Sequence, residues 1–169
     1  TKHFPAALLQ LASEFNGPCY IRLGRSKVPN VYDENASFEI GKANLVKDGK
    51  DVTIIANGIL INEAVIASEK LAEEGIDCRI IDMHTIKPID KDIIIKASKE
   101  TKGIVTAEEH NIIGGLGSAV AEVLVEEAPC KLKRVGVMDT FGESGKPAEL
   151  MKKYGLTAED IIKKVKELV

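Results

Sequence analysis

Two clusters in this chain have residue types and spacing suited to chemistry. The first is Arg22 and Arg25, three residues apart in a glycine-bearing segment with Ser26 and Lys27. Such guanidiniums suit a phosphate, because Arg presents planar donors that fork onto two oxygens. Ordinary ion pairing is their other use. The second is Glu108-Glu109-His110 followed by Gly114-Gly115-Leu116-Gly117-Ser118. Carboxylates and an imidazole at the C-terminal end of a strand can do acid–base work in a doubly wound sheet. A glycine loop that opens a helix can hold an anion on its backbone amides. Both have plainer uses: hydrogen bonds that fix a loop, and glycines that let strand and helix pack closely. The loop is not a dinucleotide fingerprint, since Val120 stands where a third glycine belongs, and no Lys follows its last glycine as in a Walker loop. His84, after Asp82-Met83, reads as a polar turn residue, and His3 carries little information.

The elements that must position these residues alternate in type. Val52-Thr53-Ile54-Ile55-Ala56 is an apolar run ending at Asn57-Gly58, a buried strand before a turn. Leu60, Ala64, Ala67 and Leu71 then repeat at helical spacing until Gly75. Arg79 to Asp82 is the next strand, and Pro88 with the cap candidate Asp90 opens a helix carrying Ile93, Ile94 and Ala97. Ile104 to Ala107 forms a third strand, Ser118 to Glu127 a third helix with Val120, Val123 and Leu124 inward, and Lys133 to Val137 a further strand. Thr157-Ala158-Glu159-Asp160 resembles a capping box before a helix presenting Ile161, Ile162, Val165 and Leu168.

Repeated strand–helix–strand units imply parallel neighbours with helices on both faces. The expected fold is therefore α/β, a three-layer α/β/α sandwich around a mixed, mostly parallel sheet of about five strands. Asp48-Gly49, between Asn44 to Lys47 and Asp51 to Thr53, predicts a two-residue hairpin and so one antiparallel edge strand. The first ~40 residues differ in character. A short helix (Ala6 to Phe15) leads into a strand (Cys19 to Leu23), and Ser26 to Gly41 reads as an extended linker. Residues 1–41 are expected to close one domain and 42–169 to form a second. Thr1 in place of Met points to a longer chain upstream.

The apolar fraction of 44% and charged fraction of 29% are those of a soluble globular protein. A net charge of −3, with no basic cluster interleaved with aromatics, argues against nucleic acid as a partner. Lys131, Lys133 and Arg134 read as a solvated strand edge. No apolar run approaches the ~18 residues that cross a bilayer. Cys19, Cys78 and Cys130 are far apart and odd in number, which fits buried thiols in a reducing compartment and makes cytoplasm the expected location.

One further stretch names a relative. Phe141-Gly142-Glu143-Ser144-Gly145-Lys146, with Tyr154-Gly155-Leu156-Thr157 after it, resembles the closing stretch of transketolases. So do, in order, Gly17 to Arg25, Asp51 to Gly58, Glu108-Glu109-His110 and Gly114 to Ser118. Their order and spacing over nearly the whole chain are similar to the small-subunit form of split transketolases. The resemblance implies that residues 1–41 end a pyrimidine-binding domain and 42–169 are the transketolase C-terminal domain. It implies transfer of a two-carbon ketol unit between sugar phosphates by an enzyme that uses thiamine diphosphate and Mg²⁺, in the pentose phosphate pathway. It also implies an N-terminal cofactor-binding partner section, a homodimer, and no activity or bound cofactor for this chain alone, because the family's catalytic residues and diphosphate motif would lie upstream. By position Arg25, and more weakly Arg22, match the arginine that grips the substrate's phosphate. The loop of His110, Gly114, Gly115, Gly117 and Ser118 then shapes an interface. Two other readings stay open. One is the same section of deoxyxylulose-phosphate synthase or of a 2-oxoacid dehydrogenase beta subunit. The other is a non-catalytic regulatory module that takes an anion at Gly114 to Gly117.

Overall fold

A computed structural model describes residues 12–22, 28–33 and 35–169. It divides into two compact units, Thr1–Glu39 and Ile40–Val169. In the first, residues 12–14 are helical and residues 18–22 adopt no regular structure, with Tyr20 90% exposed. The strand expected from Cys19 is therefore not formed over the described part of that segment. A strand needs neighbours for its N–H and C=O groups, and the described residues of that unit contain no other strand. The described residues of the expected linker contain no helix or strand. Tyr32 and Phe38 meet edge to face there, ring centroids 5.1 Å apart.

The second unit is built on a five-stranded sheet in the order β1-β3-β2-β4-β5. Its strands are β1 (Asn44–Lys47), β2 (Val52–Ala56), β3 (Cys78–Asp82), β4 (Ile104–Asn111) and β5 (Leu132–Val137). The pairs β2–β3, β2–β4 and β4–β5 are parallel, and β1–β3 is antiparallel. This is the mixed sheet that the sequence predicts, with its antiparallel strand at an edge. The partner of that strand differs, however. β1 lies beside β3, so Asp48-Gly49 is not a hairpin turn but a crossing over the start of β3. Gly49 runs so close to Cys78 and Arg79 that a Cβ there would collide with their backbone. Asp48 Oδ1 accepts from the Gly49 N–H at 2.9 Å and from Arg79 Nε at 2.8 Å, which fixes the crossing.

The helices of this unit are α1 (Leu60–Glu73), α2 (Lys91–Glu100), α3 (Leu116–Glu127), α4 (Pro147–Lys153) and α5 (Ala158–Lys166). α1 packs on α5 and α2 on α3, one pair on each face of the sheet. Successive strand residues point to opposite faces. Ile55, Ile81 and Ile104 thus join Ile94, Ala97, Leu116, Val120 and Leu124 in one core. Ile54, Ile80 and Val105, in register and buried, turn toward Leu60, Leu71, Ile161 and Val165 on the other face. Asp90 caps α2 by accepting from the Ile93 N–H at 3.4 Å. At the start of α5, Asp160 Oδ2 accepts from the Thr157 hydroxyl at 2.7 Å and from its N–H at 3.2 Å. Ile161, Val165 and Leu168 are buried and Ile162 is half-buried. No helix among the described residues is long and apolar enough to cross a membrane.

Candidate functional site

β4 is longer than its apolar run predicts, extending through Glu108-Glu109-His110 to Asn111. The register against β5 shifts between Ala107 and Asn111, so the strand carries an irregularity where its side chains turn polar. Glu109 and His110 are exposed, but Glu108 is 1% exposed. A carboxylate taken out of water needs partners of comparable strength. Its partners are backbone amides at the N-terminus of α3: Glu108 Oε2 accepts from Leu116 N–H at 2.6 Å and Oε1 from Gly117 N–H at 2.8 Å. α3 has no acidic residue in its own first turn, so Glu108 supplies the negative charge that the helix dipole favours there.

The glycines make this approach possible. A Cβ on Gly115 would overlap Glu108 Oε2 and stand 2.9 Å from His110 Nδ1. A Cβ on Gly117 would come within 2.7 Å of Arg134 Cδ and 2.9 Å of Thr106 Oγ1. Gly114 holds φ +77°, which side chains rarely adopt, and its N–H donates to Ser118 Oγ at 2.9 Å. Ser118 Oγ in turn donates to the Ile112 carbonyl at 3.5 Å, and Arg134 Nη1 donates to the same carbonyl at 3.0 Å. His110 Nδ1 lies 2.8 Å from the Asn111 carbonyl oxygen and 3.9 Å from Glu108 Oε2. Bonding to a carbonyl requires the proton on Nδ1, which leaves Nε2 as the acceptor of the neutral ring.

The predicted cluster is thus brought together, but the bonds within it are internal. Two of the amides that an external anion would use are already bonded to Glu108. The sequence alone marks Glu108 and its neighbours as loop-fixing or acid–base residues and does not connect Glu108 to the glycines. The available signal is a carboxylate eight residues before a helix that has none in its own first turn. His84 is half-buried, its Nδ1 3.2 Å from Thr85 Oγ1, and burial lowers its pKa against the opposing charge of Asp82. Arg22 is exposed and without regular structure, whereas Arg25 lies outside the described residues. No group of three or more His, Cys, Asp or Glu among the described residues could hold a metal ion.

The Phe141-to-Lys146 segment is an exposed loop, with Phe141 97% exposed. It is braced on α4, where the Tyr154 hydroxyl donates to the Phe141 carbonyl at 3.2 Å and Lys153 pairs with Glu143.

Residues 41–161 match the family model described as "Transketolase, C-terminal domain". The chain belongs to the transketolase C-terminal domain family. A solved chain described as "Split gene transketolase, inactive beta4 tetramer" superimposes with a TM-score of 0.91 at 50% identity, over 96% of this chain and 53% of that one. A 6-deoxy-6-sulfo-D-fructose transketolase subunit of Clostridium sp. (strain MSTE9) is 43% identical, over 99% of this chain and 54% of its own length. An apulose-4-phosphate transketolase subunit of Phocaeicola vulgatus is 43% identical, over 96% of this chain and 52% of its own length. The transketolase-like chain therefore spans about half the length of these relatives.

Proposed function

We propose that this chain is the C-terminal section of a thiamine diphosphate-dependent transketolase, which transfers a two-carbon ketol unit between sugar phosphates. The observation that carries the reading is the 0.91 TM-score at 50% identity to a split-gene transketolase chain. Relatives named as transketolase subunits, matched over about half their length, support it. Residues 1–41 would end the pyrimidine-binding domain; the unit boundary at Glu39–Ile40 and the family match from residue 41 support that division. Of the three thiols expected to be buried only Cys78 is, with Cys19 exposed and Cys130 half-buried; that all three are free suits a reducing cytoplasm.

Thiamine diphosphate supplies the electron sink for carbon–carbon bond cleavage. Two observations favour a seat elsewhere: no group of three or more His, Cys, Asp or Glu among the described residues could hold a metal ion, and two amides at the N-terminus of α3 are bonded to Glu108. Cofactor and Mg²⁺ would then belong to an N-terminal partner section. This chain alone would be an inactive, self-associating piece, like the inactive tetramer that its structural neighbour forms. Its contribution to the site would be Arg25, assisted by Arg22, forking onto the terminal phosphate of a sugar.

The test is to mix the chain with a section that supplies the cofactor and pyrimidine domains, and to assay ketol transfer from xylulose 5-phosphate to ribose 5-phosphate with thiamine diphosphate and Mg²⁺. Activity is expected only in the mixture. Arg25→Ala should raise the sugar-phosphate KM about 10–100-fold, the worth of one charged hydrogen-bonded contact, with kcat nearly unchanged. A mixture that associates but transfers no ketol unit would sink the reading.

A further inference from the structure

We infer that the pocket at the N-terminus of α3 is a carboxylate-binding site whose permanent ligand is Glu108, and that this tethered ligand closes the glycine loop to external anions. The inference stands on this chain alone, independently of the transferase reading. Each carboxylate oxygen takes one amide, at 2.6 and 2.8 Å, so the pocket is matched to a planar two-oxygen anion. A second observation points to the same place. Thr106 Oγ1 is fully buried, has no hydrogen-bond partner, and lies 2.9 Å from where a Cβ on Gly117 would stand. A polar group that Glu108 does not use therefore borders Gly117, whose amide Glu108 takes. Because Glu108 is carried on the adjoining strand, its effective concentration exceeds that of any free anion, and phosphate in solution does not displace it.

Removing the side chain beyond Cβ deletes a CH₂–COO⁻ group, which has the shape of acetate. Glu108→Ala should then melt about 5–10 °C below the wild-type chain, because two buried amides lose a charged acceptor. Sodium acetate, compared with sodium chloride at matched ionic strength, should recover more than half of that loss. Tetrahedral phosphate should not recover it, and acetate should leave the wild-type chain unchanged. A folded variant that responds equally to acetate and chloride would overturn the inference, as would a wild-type chain stabilised by acetate or phosphate. Hydrogen exchange on the wild-type chain decides the matter should the variant not fold. The Leu116 and Gly117 amides should then be as protected as those in the middle of α3, whereas the rapid exchange usual for the first turn of a helix would refute the latch.

Discussion

Two of the charges that the sheet buries, Glu108 and Arg79, lie near opposite ends of it and are satisfied by opposite means. At the C-terminal end of the parallel strands, Glu108 is held by backbone amides that the fold places there. Near the N-terminal end, Arg79 of β3 is 8% exposed and held by side chains: Asp48 at 2.8 Å and Glu100 at 2.7 Å. Those carboxylates are 71% and 42% exposed, so water and salt share in balancing them. Amides fixed in the first turn of a helix cannot move to meet a changed neighbour, whereas exposed side chains can. The first arrangement is rigid and demands glycine. The second is adaptable and demands only charge.

The largest expected effect is therefore at Gly115. A methyl group there overlaps the Glu108 carboxylate, so Gly115→Ala should cost about 3 kcal/mol in chemical denaturation. The cost should fall well below that when Glu108→Ala is present, because the obstructing carboxylate is then gone. Additive penalties would mean that Gly115 is required for its backbone alone, and the contrast between the two ends would lose its basis.

At Arg79 the penalty should be smaller. Arg79→Met keeps the apolar stem and releases two carboxylates that can be rehydrated, so the expected cost is about 1–2 kcal/mol. It should shrink as NaCl is raised to about 1 M, where the Debye length is ~3 Å. The coupling between Gly115 and Glu108 should not. Equal salt dependence at both sites would show that Glu108 is also balanced by mobile charges.

The same contrast explains what could be read from the sequence. Helices α1, α2 and α3 and strands β2 and β3 follow from hydrophobic periodicity, because burial against a sheet is recorded in each residue's own type. The placement of β1 was not legible: Asp48-Gly49 is a strong local turn signal, but the partner of β1 is decided by the passage of Gly49 against Cys78 and Arg79. The end of β4 was hidden for a related reason. Glu108 looks like a loop residue because its type records charge, while its burial depends on amides donated by residues 116 and 117. The glycine loop was legible as a tight strand-to-helix packing, but its internal ligand was not, since nothing in residue type says which side chain a set of amides will receive. The strand expected from Cys19 has no pairing neighbour among the described residues of its own unit, a fact about partners and not about those residues.

The smallest effect is expected from acid, and it falls on the side-chain type of charge. Hydrogen bonds from Lys133 and then Lys164 hold Glu167 down to about 2, from an ordinary 4.5. The Gly49 amide and Arg79 lower Asp48, and the Asp77 amide lowers Asp51. For Asp160, burial pushes upward, but bonds from Thr157 outweigh it and the net shift is downward. A carboxylate depressed in the folded state binds fewer protons there than in the unfolded chain. Its stabilisation is thus complete above the unfolded value and lost as pH falls through the folded one. Thermal stability should hold from pH 7 to about 5, then decline between about 4.5 and 2. Glu167→Gln should flatten part of that decline, and it should do so less at high salt, because Lys133 and Lys164 then contribute less to the shift. A decline that Glu167→Gln leaves untouched at every salt concentration would assign the acid sensitivity to the other depressed carboxylates, Asp48, Asp51 and Asp160, and remove Glu167 from the account.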